Sequence, residues 1–156
     1  MANVLVVFQA DTERTEQMAL AVAVGAVEAE GSIRLRRLAV DGAVEVAHKS
    51  YGKLQRADLL WADTVVVGLE DARPREAELD GLVSVLNSAD PGELDRKQAW
   101  TFGAEGMVGY RTEAQSFVES ALQSAGFTVL PAIVLDAKDE TERMKEAGRR
   151  FGRSAV

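Results

Sequence analysis

Two uninterrupted apolar runs constrain the fold of this chain more than any other feature. Residues 4–8 have the sequence VLVVF, and residues 64–69 have the sequence TVVVGL. A strand that is apolar on both faces is typical of the centre of a parallel sheet that helices cover on both sides. A segment with helical periodicity follows the first run, and another follows the second. The sequence therefore predicts an α/β fold in which strands and helices alternate.

The same pattern extends along the whole chain. We predict strands over residues 3–8, 32–38, 64–69, 98–102 and 128–135. We predict helices over about 15–30 and 54–61, and three more that begin near Pro74, Thr112 and Asp139. Alternating apolar and basic residues at positions 33–36, and Pro131 in the last strand, indicate edge strands. Residues 1–156 are thus expected to form one domain, a three-layer doubly wound sandwich with a five-stranded parallel sheet in the order 2-1-3-4-5. Residues 40–53 show no clear pattern.

Apolar stripes predict which helix faces are buried. The spacing Thr112-Glu113-Ala114-Gln115 fits a capping box, and Gly31 and Gly126 are expected helix stops. The predicted inward residues are Met18, Val22, Ala26 and Ala29; Leu79, Leu82, Val83 and Leu86; Ala114, Phe117, Val118, Ala121, Leu122 and Ala125; and Met144, Ala147, Gly148 and Phe151.

Composition excludes several classes of function. The net charge of −7 opposes nucleic acid or an anionic membrane surface as the main partner. The absence of cysteine excludes disulfides, thiol catalysis and cysteine-bound metals, and a single histidine, His48, excludes a multi-histidine metal site. No serine has an evident base beside it, so no catalytic residue is predicted. No metal ligand is predicted either. The beginning of the sequence has no basic signal-peptide region, which favours a cytoplasmic location.

The arrangement resembles the flavodoxin superfamily, most closely the short flavodoxins and the WrbA-like quinone-reductase flavoproteins. Two segments carry the resemblance: LLWADTVVVGLED at residues 59–71 and VESALQSAGFTVLPAIV at residues 118–134. The resemblance implies flavin mononucleotide (FMN) as cofactor, with electron transfer or quinone reduction as the activity, and a possible homo-oligomer to which Met107 and Val108 could contribute. The redox partner or acceptor is left open.

The resemblance also places the flavin site on three loops after strands one, three and four. The family's phosphate loop, Ser/Thr-x-Thr-Gly-x-Thr, falls on residues 10–15, where two threonines match but alanine and glutamate replace the first hydroxyl residue and the glycine. The second loop keeps Gly68 but lacks the family's hydroxyl residue and proline, and the third loop has glycines but not the usual hydroxyl residues. The implied cofactor-binding residues are Ala10, Asp11, Thr12, Glu13, Arg14, Thr15, Leu69, Glu70, Asp71, Ala72, Arg73, Gly103, Ala104, Glu105, Gly106 and Tyr110.

Acidic residues in these loops predict weakened or lost FMN binding. Two unit charges about 5 Å apart repel by roughly 3 kcal/mol at an effective dielectric of ~20, and a nanomolar site has only about 12 kcal/mol in total. Asp11 and Glu13 also have a simple structural explanation, since acids are favourable at a helix amino terminus. Arg14 and Arg73 could supply compensating charge.

Two other functions stay open at this point. One is a flavin-free domain that binds a protein or another small ligand. The other is a receiver-like domain that binds Mg²⁺ through the loop carboxylates, which is disfavoured because Gly68 occupies the place of the receivers' phosphorylated aspartate. Trp61 and Trp100 are expected in the core.

Overall fold

The structure is a computed structural model that describes residues 2–9, 13–38, 52, 54–69, 76–103, 112–130 and 140–153. The strands are β1 (Asn3–Phe8), β2 (Ser32–Arg37), β3 (Thr64–Leu69), β4 (Gln98–Gly103) and β5 (Thr128–Val129). The helices are α1 (Glu13–Glu28), α2 (Arg56–Trp61), α3 (Glu76–Asn87), α4 (Glu113–Ala125) and α5 (Glu140–Arg153). All strand pairs are parallel, in the order β2-β1-β3-β4-β5, which confirms the predicted topology.

The two predicted central strands divide the core into two layers. On one face of the sheet, Leu5, Val7 and Val65 pack in a cluster with the apolar residues of α2, α3 and α4. On the other face, Val6 and Val66 pack with α1 and α5. Every residue of β3 is buried, as expected of a strand that has helices on both sides.

Glycines bring the backbones of α1 and α5 into direct contact. A β-carbon at Gly148 of α5 would overlap the carbonyl oxygen of Val22, and one at Gly25 of α1 would overlap that of Lys145. A β-carbon at Gly152 would lie 2.6 Å from the carbonyl oxygen of Ala26. The two helices can pack this closely only because these three positions have no side chain.

The basic residues of β2 form an ion-pair cluster on the α2 side of the sheet. Arg34 Nη1 lies 3.2 Å from Asp58 Oδ1, and Arg36 Nε lies 3.0 Å from Asp58 Oδ2. The backbone N–H of Gln55 also donates to Asp58 Oδ2 at 3.0 Å, and the guanidinium of Arg34 lies 4.4 Å from the ring centre of Trp61. This cluster attaches α2 to the edge strand, whose predicted exposed face is therefore partly covered.

Burial alone would raise the pKa of Asp58. Several interactions lower it by more: a hydrogen bond from Arg36, one from the backbone of Gln55, the charge of Arg36 and a hydrogen bond from Arg34. The net result is a pKa below the ordinary value for an aspartate. The carboxylate is therefore the stabilised form in the folded protein.

The predicted inward face of helix α4 is confirmed at Ala114, Val118 and Leu122, which are buried. The inward orientation predicted for Phe117 is wrong, because its side chain is 43% exposed, whereas Gln115 and Glu119 are buried. The capping box at Thr112 is confirmed, and Gln115 also bonds to the sheet, which turns this polar side of the helix inward. Gly126 ends α4 in the left-handed conformation, with φ of 113°.

The remaining differences concern the ends of elements. Helix α1 begins two residues before the predicted Thr15, and α2 begins at Arg56 instead of Leu54. Glu30, with φ of 67°, takes the left-handed position after α1, directly before the predicted stop at Gly31. The predicted strand over 128–135 pairs with β4 at Thr128 and Val129, and its residues 131–135 lie outside the described part of the chain.

We predict that Gly148→Ala destabilises the protein by about 3 kcal/mol or more, because the new methyl group would overlap the α1 backbone. Urea unfolding followed by circular dichroism measures the change. Ser84→Ala, at an exposed position of α3, is the control and should be neutral or slightly stabilising. A Gly148→Ala protein as stable as the wild type would contradict the backbone contact.

We predict that Asp58→Asn destabilises the protein by about 2 kcal/mol at pH 7, because it removes a charged acceptor shared by two arginines. Since folding lowers the pKa of Asp58, its stabilisation is complete above the unfolded-state value of 3.8 and is lost as the pH falls through the folded-state value. The stability difference between wild type and Asp58→Asn should therefore shrink as the pH falls below about 4. Urea unfolding between pH 7 and pH 3 tests this, with exposed Asp80→Asn as the control. A difference that stays constant over this range would contradict it.

Candidate functional site

The carboxyl ends of β1, β3 and β4 meet at one edge of the sheet. Phe8, Gly68 and Phe102 are direct neighbours across these three strands. The pairing continues one residue further, since the backbone N–H of Gln9 donates to the carbonyl oxygen of Gly68 at 3.1 Å. In doubly wound sheets a ligand binds outside this edge, where the connections from neighbouring strands run to opposite faces.

Gly68 is required at this edge by a close aromatic contact. The ring of Phe102 lies against Gly68 so closely that a β-carbon there would overlap the ring tip. Phe8 and Phe102 are both buried on the face that α1 and α5 cover. The sheet side of the candidate site is therefore closed and apolar, which limits ligand access to the space beyond the strand ends.

Helix α1 begins beside the end of β1 after the short connection formed by residues 9–12. The N–H groups of its first turn have no partner within the helix and carry a partial positive charge. Thr15, in this turn, is fully buried. The start of α1 can therefore offer backbone donors to an anionic group.

A polar network positions the start of α4 against the end of β4. Gln115 Nε2 donates to Thr101 Oγ1 at 3.2 Å, while Gln115 Oε1 accepts from the backbone N–H of Thr112 at 2.9 Å. In return, the backbone N–H of Gln115 donates to Thr112 Oγ1 at 3.2 Å. The loop between β4 and α4, one of the three predicted flavin loops, is thus held at both of its ends.

The described residues place part of the predicted site. Leu69 and Gly103 are the last residues of β3 and β4, and the side chain of Leu69 is buried in the core, so that only its backbone faces the edge. The backbones of Glu13 and Arg14 belong to the first turn of α1, but their side chains are not among those described. The other predicted positions lie outside the described residues: Ala10, Asp11, Thr12, Glu70, Asp71, Ala72, Arg73, Ala104, Glu105, Gly106 and Tyr110. The same is true of His48, Met107 and Val108.

Sequence reasoning missed two polar positions at this edge. Gln9 is buried directly after β1, and Arg37 is the last residue of β2, in register with Phe8. Arg37 shares a face with Ile33 and Leu35, which pack against the cluster containing α1. The position of Gln9 could have been predicted, because it is a polar residue directly after an apolar run. The position of Arg37 beside Phe8 could not, because it depends on the register between β1 and β2.

The two tryptophans lie away from the carboxyl edge. Trp100 is buried between α5 and the sheet, with its ring centre 5.4 Å from that of Phe151, which confirms its predicted core position. Trp61 is partly buried at the margin of the other core layer, beside Arg34.

Other possible sites are weaker within the described residues. They contain no cluster of three or more histidine, aspartate or glutamate residues suited to a metal ion, and no helix long and apolar enough to cross a membrane. An open cleft lies where α1 ends, lined by Glu28, Glu30, Arg149 and Arg153. Arg149 already pairs there with Glu28 at 3.2 Å and with Glu146 at 3.1 Å.

Solved structures with the same fold include flavodoxins and an azoreductase. Two-electron reduced flavodoxin from Megasphaera elsdenii aligns over 97% of this chain and 99% of its own, with a TM-score of 0.67 and 18% identity. A flavodoxin from the domain Archaea covers 96% of both chains, with a TM-score of 0.61 and 16% identity. An azoreductase from Bacillus anthracis covers 98% of this chain and 99% of its own, with a TM-score of 0.62 and 16% identity. No protein-family model and no curated protein matches the sequence.

The chain therefore has a flavodoxin-like fold, in the doubly wound form that the sequence predicted. At these identities the similarity establishes the fold alone, and the function depends on the residues at the carboxyl edge.

We predict that Thr101→Val destabilises the protein by about 1–3 kcal/mol, because the buried amide of Gln115 loses its acceptor on β4. Urea unfolding at pH 7 measures the loss. Thr128→Val is the matched control, since it makes the same change at an exposed strand position and should be nearly neutral. Equal losses in the two variants would show that the bond to Thr101 does not hold α4.

Proposed function

We propose that this chain binds FMN weakly at the carboxyl edge of its sheet and acts as a flavodoxin-like electron-transfer or quinone-reducing protein. The observation that carries the proposal is the in-register ending of β1, β3 and β4 beside the start of α1. This edge offers backbone donors for a phosphate and two further loops for a flat ring. The flavodoxins and the azoreductase that share the fold support the same class of ligand.

The described residues fit a phosphate-bearing flavin in part. The N–H groups at the start of an α-helix have no acceptor within the helix, so the start of α1 suits a phosphate, and Gly103, at the end of β4, has no side chain to cover its backbone. Arg37 adds a positive charge near the end of β1. A bound flavin would supply the electron or hydride chemistry, while the protein holds the ring, excludes water and adjusts the potential. No side chain needs to act as an acid or a base.

Weak binding follows from the charges in the first loop. Ala10 has no hydroxyl to donate to the phosphate, and Asp11 and Glu13 oppose a dianion. A single carboxylate turned toward the phosphate would cost several kcal/mol, which is a large fraction of the binding free energy of a nanomolar site. We therefore expect the protein to purify colourless or to lose flavin on dilution.

A flavin-free function is the second candidate, and the same acids favour it. Carboxylates at the first turn of α1 can interact with the helix terminus themselves, in the place where a phosphate would bind. The domain would then bind a protein or another small ligand through this edge.

We predict that Ala10→Ser combined with Glu13→Gly increases FMN affinity at least about a hundredfold. The double change restores a hydroxyl donor worth about 1 kcal/mol or more to a charged acceptor, and it removes a repulsion of a few kcal/mol. Riboflavin lacks the phosphate and should gain far less. Quenching of flavin fluorescence, titrated with both proteins and both flavins, measures the four affinities.

Three outcomes decide between the candidates. Weak FMN binding that the double variant strengthens selectively supports the flavin proposal. No binding by either protein favours the flavin-free function. Nanomolar FMN binding by the wild type would show that the carboxylates point away from the phosphate, and the expectation of weak binding would be wrong.

A further inference from the structure

We propose that the outer edge of β2 and the exposed side of α1 bind a second copy of this chain. The two β2 strands pair antiparallel about a two-fold axis at Arg34, so that the two sheets continue into one. This inference does not depend on flavin binding, because the surface lies along an edge strand and not at the carboxyl ends of β1, β3 and β4.

Alternation of the backbone along β2 decides which of its hydrogen-bonding groups face outward. The N–H of Ser32 donates to the carbonyl oxygen of Ala2 at 3.0 Å, and the N–H of Leu38 donates to that of Phe8 at 2.9 Å. Residues of even number in β2 therefore bond to the neighbouring strand β1. The residues between them turn their N–H and carbonyl groups to the outer side of the sheet: Ile33, Leu35 and Arg37.

Two of these three outward residues are open. The N–H of Arg37 donates to the carbonyl oxygen of Gly52 at 2.9 Å, so the edge is occupied there. Across the part of the chain that the structure describes, Ile33 and Leu35 have no hydrogen bond on this side. The free edge of β2 is thus a short stretch centred on Arg34.

This stretch is complementary to itself. In an antiparallel ladder, every second pair of opposite residues exchanges N–H···O bonds in both directions. When Arg34 lies opposite Arg34 of the second copy, Ile33 lies opposite Leu35 of the second copy, and the reverse holds on the other side of the axis. The open residues of the two chains then satisfy each other, and no open N–H is left over.

The side chains of the two open residues are apolar and lie on the α1 side of the sheet. Ile33 and Leu35 are half-buried and pack against the core cluster that contains α1 and α5. In the antiparallel pair each contacts the other across the strands, and such apolar cross-strand contacts stabilise a sheet. The pairing therefore buries apolar surface in addition to closing the hydrogen bonds.

Helix α1 exposes an apolar stripe on the same side of the molecule. Leu20, Val24 and Val27 have the spacing of one helix face, and Val24 and Val27 are 46% and 52% exposed. This face lies opposite the one that contacts α5. Helix α5 lies toward β4, since Phe151 packs on Trp100, so the stripe faces the free edge of β2.

The stripe favours a second copy over an isolated peptide strand as the occupant. A peptide strand would complete the edge of β2 but leave the stripe of α1 in water. A two-fold axis through Arg34 places the two α1 helices antiparallel on one face of the continuous sheet, with stripe toward stripe. An open strand edge beside exposed apolar side chains favours association, and a two-fold pair closes both surfaces at once.

The charges at the axis are compatible with this pairing. The guanidinium of Arg34 is directed to Asp58 at 3.2 Å and to the ring of Trp61 at 4.4 Å in its own chain. The carboxylate of Asp58 offsets part of the repulsion between the two copies of Arg34. The interface is small, near the lower limit of about 1,200 Å² for stable complexes, so we expect a dissociation constant in the micromolar range.

Disulfide cross-linking tests the register, because the chain contains no cysteine. Arg34→Cys places two thiols at a non-hydrogen-bonded pair on the axis, where the Cα atoms lie about 4.5 Å apart. We expect most of this variant to form a linked dimer on mild oxidation. Arg36→Cys is the matched control, because it also removes one arginine from Asp58 but leaves the thiols about 14 Å apart, too far for a bond.

A charge in the stripe tests the contact between the helices. We expect Val24→Lys to weaken dimerisation at least about tenfold in sedimentation equilibrium at pH 7, because it buries a charge in the interface. Phe117→Lys makes the same kind of change at a position of α4 that is 43% exposed, so it should leave the dissociation constant within about twofold. Thermal unfolding identifies any loss of fold, and an unstable Val24→Lys protein is replaced by Val27→Lys.

Each result supports or overturns the proposal. A wild-type dimer that Val24→Lys weakens and Phe117→Lys does not, together with cross-linking of Arg34→Cys alone, supports it. A wild type that stays monomeric at about 100 μM overturns it. A dimer that is insensitive to Val24→Lys, or equal cross-linking of Arg34→Cys and Arg36→Cys, places the interface elsewhere and also overturns it. The flavin titrations described above are independent of all these measurements.

Discussion

The direct backbone contact between α1 and α5 is the constraint on which the candidate site depends. Side chains normally separate packed helices by 8–10 Å, but Gly25, Gly148 and Gly152 allow the two helices to touch. Helix α1 follows the first loop, so its position sets where the N–H groups of its first turn lie. Helix α1 also packs on β1 and β3, so the glycine contacts with α5 and the apolar contacts with the sheet together position its first turn.

Hydrogen bonds connect the elements at the opposite edge of the sheet. The backbone N–H of Asn3 donates to Asp63 Oδ2 at 2.9 Å, and Asn3 Nδ2 donates to the carbonyl oxygen of Trp61 at 3.0 Å. Lys97 Nζ donates to the carbonyl oxygens of Leu60 and Ala62, near the end of α2. These bonds tie the turn before β3 to the beginnings of β1 and β4. At the carboxyl edge the described polar groups are Gln9, Arg37 and the Thr101–Gln115 pair, which lie at or near the ends of β1, β2 and β4. In doubly wound sheets, functional residues usually lie on the loops at this edge.

The strand order could be predicted because it depends on apolar patterning, whereas the site could be predicted only in outline. Apolar runs on β1 and β3 and alternation on β2 determine which strands are central and which lie at an edge. The apolar stripe of α4 predicted its buried face but not the burial of Gln115, because the bond of Gln115 to Thr101 depends on the neighbouring strand. Likewise, the sequence shows only that Gly25 and Gly148 lower the helix propensity of their segments. The close packing of α1 and α5 that these glycines permit becomes visible only when the partner helix is known. The position of Arg37 beside Phe8 depends on a register between two strands that are separated by a helix in sequence.

Charge, more than fold, decides what the carboxyl edge can bind. A single pair of unit charges about 5 Å apart contributes roughly 3 kcal/mol at an effective dielectric of ~20, whether attractive or repulsive. Arg37 lies at this edge in register with Phe8, while the sequence places Asp11 and Glu13 in the adjoining loop. These terms are similar in size and opposite in sign, so the orientation of one carboxylate is enough to change the affinity for a phosphate by about a hundredfold. The similarity of fold at 16–18% identity therefore does not decide what this edge binds.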